Sequence, residues 1–178
     1  SSDLPSVLFI GVRNPQELHI VDSEEHPGRN ITGVSLDTLR TSYGAEVLLQ
    51  YNPEVKSVLI PYHRDDNGGF ISDEVAGCRE YLEAHGVESI ALEIPSFADT
   101  MTYLKSSLDG VDSILLLTGS ICLSTLDGVV KLANQYDIQI CSFGLDTIDH
   151  GATYAYGANL DTLGRVSAEV DRKSTRLN

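Results

Sequence analysis

Val111-Asp112-Ser113-Ile114-Leu115-Leu116-Leu117, followed by Thr118-Gly119-Ser120, is the stretch that decides the fold. A near-continuous apolar run of strand length is the pattern of a strand buried on both faces of a parallel sheet. Its neighbours repeat one theme. Upstream, Val55–Pro61 reads as a strand. Asp73–His85 then reads as a helix, with Val75, Cys78 and Leu82 at three- and four-residue steps and Gly86 as its stop. Val87–Ile94 is the next strand, closed by Pro95. Ser96 opens a further helix as N-cap, with Asp99 at the capping-box position. Met101, Leu104 and Leu108 form its apolar stripe, and Gly110 ends it. Downstream, Ser124–Tyr136 is a helix that turns Leu126, Val129, Val130, Leu132 and Ala133 to the core, and Ile138–Cys141 is a strand. Strands alternating with helices across short connections predict a doubly wound α/β unit over about residues 37–148.

The flanks hold less. Residues 6–12 read as a strand, and Gly28–Val34 as an extended segment after a Pro-Gly turn. Ala152–Gly157 reads as extended and Asp161–Val170 as helical. These pieces are too few for a second domain, so they are expected to belong to a neighbouring lobe that the central unit interrupts. The expected organisation is a remnant of an N-terminal lobe over 1–34, a C-terminal α/β lobe over 35–151, a return segment over 152–170 and a tail over 171–178. The fold class is α/β, a doubly wound parallel sheet plus part of a second α/β lobe. The tail turns basic at Arg172, Lys173 and Arg176 and loses its periodicity, and reads as a translated cloning remnant. The opening Ser1-Ser2-Asp3-Leu4-Pro5 has no basic stretch or cleavage site of a signal peptide, and reads as cut from something longer.

Charge narrows the function. The chain's 178 residues carry 12 basic against 26 acidic side chains, a formal net charge of −14. Such a body repels phosphate backbones and anionic lipid, which argues against nucleic-acid or membrane-surface partners. No apolar run approaches the roughly 18 residues that span a bilayer. Cys78, Cys122 and Cys141 lack C-x-x-C spacing, and their odd number argues against a disulfide framework. Cys122 and Cys141 read as small buried hydrophobes.

Chemical motifs are sparse. Asn67-Gly68-Gly69 sits where a phosphate loop would, without the remaining glycine pattern or the G-K-[ST]. There is no G-x-S-x-G elbow, and His19, His26, His63, His85 and His150 form no metal-binding spacing. The adjacent acids Glu24-Glu25 and Asp65-Asp66 read as solvated loop residues. No catalytic residue, metal or cofactor is expected. What remains is positional, because ligands of open α/β sheets sit beyond the carboxyl ends of the strands. Those ends are Val12-Arg13-Asn14, Tyr62-His63, Thr118-Gly119-Ser120 and Ser142-Phe143-Gly144, with the segment after Pro95 at another. Their aromatics, hydroxyls and amides suit a small polar solute with an apolar part.

In order along the chain, several stretches resemble the ABC transporter substrate-binding proteins of the type I periplasmic binding fold. Leu4–Pro15 is similar to that family's strand and loop, and Glu25-His26-Pro27-Gly28-Arg29-Asn30-Ile31-Thr32-Gly33-Val34-Ser35 to its crossover, the most specific match. Asn52–Val58 resembles a strand entry, Val111–Gly119 with Leu126–Ala133 a strand and helix, and Gly151–Gly164 a returning segment. The resemblance covers about residues 4–170 and implies part of a longer, two-lobed protein. Gly119-Ser120-Ile121 stands where the family commonly has Asp-Asn-Thr. Ser142-Phe143-Gly144 and the loop from His63 to Asn67 also depart, so no member's substrate carries over.

The resemblance implies the solute-binding component of an ABC importer, capturing a small, amino-acid-like polar molecule between two lobes. Its partners would be that solute and the permease membrane subunits. It implies a periplasmic or extracytoplasmic location and no enzymatic activity. Hinges are expected near Thr32-Gly33-Val34 and Tyr154-Ala155. The ligand contacts expected are Asn14, Tyr62, His63, Gly119, Ser120 and Phe143. Phe143 or Tyr62 would stack, Asn14 and Ser120 would hydrogen-bond, and Gly119 would permit close backbone approach. The alternatives are an extracytoplasmic sensing domain of a signalling receptor and an enzyme on a flavodoxin-like fold.

Overall fold

Strand β3 (Ser57–Tyr62) and strand β5 (Ser113–Leu116) are buried almost throughout, as the apolar runs predict. In the computed structural model, residues 7–23, 25–28, 30–36 and 40–177 are described. Glu24 of the first acidic pair, Arg29 of the crossover motif and Leu4-Pro5-Ser6 of the strand motif lie outside them.

The chain divides into a larger unit, Arg40–Gly157, and a smaller one, Ser1–Leu39 with Ala158–Asn178. In the larger unit, five parallel strands lie in the order β4-β3-β5-β6-β7, with β4 at Glu88–Glu93, β6 at Gln139–Phe143 and β7 at Tyr154–Tyr156. Helix α1 spans Tyr43–Tyr51, α2 Ile71–Ala84, α3 Thr100–Ser106 and α4 Ser120–Gln135.

Alternate side chains of each strand feed two cores. Leu59, Ile114, Leu116 and Ile140 pack with Leu104 of α3 and Val129 and Leu132 of α4. Val58, Ile60, Leu115 and Cys141 pack with Leu48 of α1 and Val75, Cys78 and Leu82 of α2. A sheet covered on both faces buries its central strands along their length, which is why β3 and β5 read as unbroken apolar runs. The α/β doubly wound class follows directly.

Several local expectations change. The sequence reading gave no element to Tyr43–Tyr51, which forms α1 and buries Gly44, Ala45, Val47 and Leu48. Helix α4 starts at Ser120, four positions before the expected Ser124, because Gly119 is extended and the chain turns straight into the helix; Ile121 and Cys122 are buried in that first turn. Tyr154–Tyr156, expected at the start of the return segment, pairs with β6 in the larger unit instead. Phe97–Asp99 is a short 3-10 turn ahead of α3. The Ser96 hydroxyl there donates to the Asp99 carboxylate at 2.6 Å and accepts no backbone N–H as a cap would.

The smaller unit pairs β1 (Val7–Val12) with β2 (Ile31–Ser35) in parallel. Helix α5 runs from Leu160 through to Leu177, so the tail continues the helix that was expected to end at Val170. Gly33 lies inside β2, where a Cβ would strike the Phe9 backbone and ring. Both expected hinge segments therefore fall within paired strands.

Asp112 ties the amino ends of β3 and β5 together. Its Oδ2 accepts the backbone N–H of Lys56 at 2.9 Å and of Ser57 at 3.0 Å. Asp112→Ala is expected to destabilise the chain by about 1–3 kcal/mol, since both donors lose a charged acceptor. Chemical denaturation checks this; Asp112→Asn, which keeps an acceptor oxygen, should recover part of the loss.

Candidate functional site

The order β4-β3-β5 places the topological switch point between β3 and β5, because the chain leaves β3 towards one edge and returns to its other side. Loops diverge there, and the crevice between them is where open α/β sheets hold ligands. Four side chains converge at the carboxyl ends of these two strands: His63, Asp66, Thr100 and Ser120.

His63 stands in the middle. Its Nδ1 lies 3.3 Å from Ser120 Oγ and its Nε2 3.3 Å from Thr100 Oγ1. The Thr100 hydroxyl donates to the Phe97 carbonyl at 2.8 Å, and the Ser120 hydroxyl to Asp66 Oδ2 at 3.0 Å. Both hydroxyl oxygens lie within hydrogen-bond reach of the imidazole, whose tautomer decides which nitrogen donates and which accepts. The Phe97 ring meets His63 edge-on, with ring centres 6.3 Å apart. Asp66 Oδ2 also accepts the backbone N–H of Ser120 at 2.9 Å, so a carboxylate caps the start of α4, where the helix dipole favours negative charge. Beneath, Thr118 at the end of β5 donates to the buried Glu74 of α2 at 3.4 Å.

The arrangement is a cluster of polar side chains without the acid–histidine pairing of an acyl-transfer relay. There the acid would orient the histidine; here Asp66 bonds to Ser120, and both His63 nitrogens face hydroxyls. Among the described residues, no group of His, Cys, Asp or Glu could hold a metal ion, and no helix is long and apolar enough to cross a membrane.

Of the residues expected from sequence, His63, Gly119 and Ser120 come together. Tyr62 is engaged with the neighbouring strand: its hydroxyl donates to Glu93 on β4 at 3.2 Å. Glu93 is also gripped by Arg64 through two hydrogen bonds, at 3.0 and 2.6 Å. That guanidinium holds the Glu93 carboxyl below its usual range. Partial burial, then Glu93, pushes the Tyr62 phenol up. Phe143 is half-buried, with its ring edge-on against Tyr156 at 5.6 Å. Its carbonyl accepts from Cys122 Sγ at 3.0 Å, which ties the end of β6 to the first turn of α4. Asn14 belongs to the smaller unit, follows β1 with a φ of 47°, and donates to Glu17 at 3.3 Å. A cavity of about 420 Å³ in that unit is lined by Gln16, His19, Val21 and Asp22, none of them among the expected contacts.

Asp66, Thr100 and Glu74 were missed by sequence reasoning. Asp65-Asp66 looked like a solvated acidic pair, and only Gly119, opening a helix without a side chain, signalled that something approaches its backbone.

Comparison with known proteins adds the family. Residues 2–173 match the family described as ABC transporter substrate binding protein. A tyrosine-binding protein of Clostridioides difficile is 24% identical over 170 residues, which is 96% of this chain and 48% of that protein. The chain therefore spans about half the length of this curated relative. A Streptococcus pneumoniae ABC domain solved in complex with L-Trp superposes with a TM-score of 0.80 at 20% identity, covering 99% of this chain and 58% of that one. The ligand-free, open form of a substrate binding protein with adhesive properties from Clostridium difficile gives 0.73 at 23% identity, with 99% and 58% coverage.

Proposed function

The chain belongs to the family of ABC transporter substrate-binding proteins, and from that membership we propose that it is the ligand-gripping part of an importer's solute receptor. The solute is a small polar molecule with an apolar or aromatic body, of amino-acid-like class. The observation that carries the reading is the convergence of His63, Asp66, Thr100 and Ser120 on the switch point of the parallel sheet. Such a cluster offers hydrogen-bond acceptors and donors of fixed direction. Phe97, exposed and beside His63, offers the apolar surface. The relatives named for tyrosine and solved with L-Trp support the amino-acid-like class.

Asn14, Tyr62 and Phe143 keep a place in the proposal as flanking contacts of the whole protein. The chain passes between its units after Leu39 and after Gly157, and these crossings replace the expected hinge segments. Gly157, with a φ of 147°, adopts a conformation that only glycine takes readily. Hinge closure on the solute, docking on permease subunits and an extracytoplasmic location complete the reading.

A thermal-shift screen of the whole protein against amino acids, sugars, nucleosides and small carboxylates tests it. A true ligand at about 100 times its dissociation constant adds about 2.7 kcal/mol of stability, a shift of several degrees. The expected hit is aromatic and amino-acid-like, and Ser120→Ala with His63→Ala should weaken it at least about tenfold, or about 1.4 kcal/mol. A strong response from a sugar or nucleoside, undiminished by those changes, would contradict the reading.

A further inference from the structure

Asp66 sits at the start of α4 by the switch point, where the backbone receives its carboxylate. The Ser120 N–H and hydroxyl both donate to its Oδ2, at 2.9 and 3.0 Å. Gly119 makes room for it: a methyl group there would come within 2.5 Å of the same oxygen. The Gly119 backbone is extended, with a φ of −171°, so any residue could adopt it. The absence of a side chain is required by Asp66 alone. Arg64 is spent on Glu93, and Asp65 and Asp66 place two carboxylates in the same loop, beside the His63 imidazole.

We propose that Asp66 is a specificity-determining residue that fills the anion seat of α4 with the protein's own carboxylate. The site then rejects a solute that presents a lone carboxylate and takes the ammonium or other donor end of its ligand. This rests on the solute-binding reading above and refines it to an amine-bearing solute. A free carboxylate entering the seat would meet Asp66 at close range, and like charges brought together in a partly dry site repel strongly. An ammonium can use the remaining lone pairs of the Asp66 carboxylate and the Ser120 and Thr100 oxygens.

Two arms test this. In the first, calorimetry compares tyramine with 3-(4-hydroxyphenyl)propionate, which share one ring and differ in the charged end, on the whole protein. Wild type should prefer the amine by about 100-fold or more. Asp66→Ala should lose that preference, and Gly119→Ala, which pushes the carboxylate off its seat, should do the same. Equal binding of both compounds by wild type, tighter binding of the acid, or an unchanged ratio in the variants overturns the proposal.

The second arm needs no ligand. By thermal unfolding, Gly119→Ala should lower Tm by about 3–5 °C in wild type. In the Asp66→Ala background it should cost less than about 1 °C, because the contact and the two hydrogen bonds are already gone. Equal losses in both backgrounds overturn the seating of Asp66. If neither compound binds wild type, the amino-acid-like reading fails, and this cycle still decides whether Asp66 fills the seat.

Discussion

Replacing Ile114 with alanine is expected to lower the unfolding free energy by about 3–4 kcal/mol. Ile114 is 0% exposed and lies in β5, between β3 and β6. Its side chain enters the core that Leu59, Leu104, Val129 and Ile140 complete. Helices cover both faces of this strand, so the neighbours cannot collapse into the void without disturbing two hydrogen-bonded partners. The loss then combines the removed methylenes with the cavity they leave. Such a change is a large part of a typical total of about 5–15 kcal/mol. It corresponds to a fall in Tm of roughly 10 °C for a chain of this size. Leu123→Ala is the control: Leu123 is 79% exposed on α4, and its loss should stay within about 0.5 kcal/mol. Urea unfolding of the two variants checks the pair. A loss below about 1 kcal/mol for Ile114→Ala would contradict the central place of β5.

Alkaline pH should unfold the larger unit for a definable reason. Cys78 and Cys141 are fully buried in the core beneath α1 and α2. Burial pushes both thiols from an ordinary value of 9.0 to about 12. Below about pH 8 the folded and unfolded chains hold the same protons, and stability does not change through these groups. Between about pH 9 and 12 the unfolded thiols ionise while the folded ones cannot. The unfolded state then binds fewer protons, so stability falls as pH rises. Two such groups remove on the order of 4 kcal/mol between about pH 8 and 10.5. Tyr156, wholly buried beside them, is pushed up in the same direction by desolvation and adds to the fall. Cys78→Ala and Cys141→Ala should each remove about half of that fall, with the slope of each group approaching about 1.4 kcal/mol per pH unit only well above pH 9. A stability that stays level to about pH 10.5 would contradict the burial of these thiols.

Burial is also what made the fold legible. Strands β3 and β5 and helices α2 and α4 announce themselves because one environment, the covered sheet, dictates every residue along them. Helix α1 was hidden because its buried positions 44, 45, 47 and 48 fill only a short segment between the half-buried Tyr43 and the exposed Tyr51. Strand β7 is only three residues long and takes its identity from its pairing with Cys141, Ser142 and Phe143. The site divides in the same way. His63, Gly119 and Ser120 come together as expected because the carboxyl ends of neighbouring parallel strands lie side by side. Asp66 was not expected, because its role depends on a partner 54 positions away. A local reading sees only an acid beside another acid. Tyr62 ends the right strand, but its side chain follows Glu93 on the neighbouring β4, a cross-strand pair that register alone decides.

Amide hydrogen exchange on the whole protein, with and without the strongest ligand from the thermal screen, tests the central claim most directly. The account predicts slowed exchange in the loops after β3 and β5 and in the turn before α3, around residues 63–70, 96–100 and 118–122. Strand interiors, already protected, should change little. Ligand-induced protection that leaves these segments untouched and falls elsewhere would contradict a solute held at the switch point of the sheet.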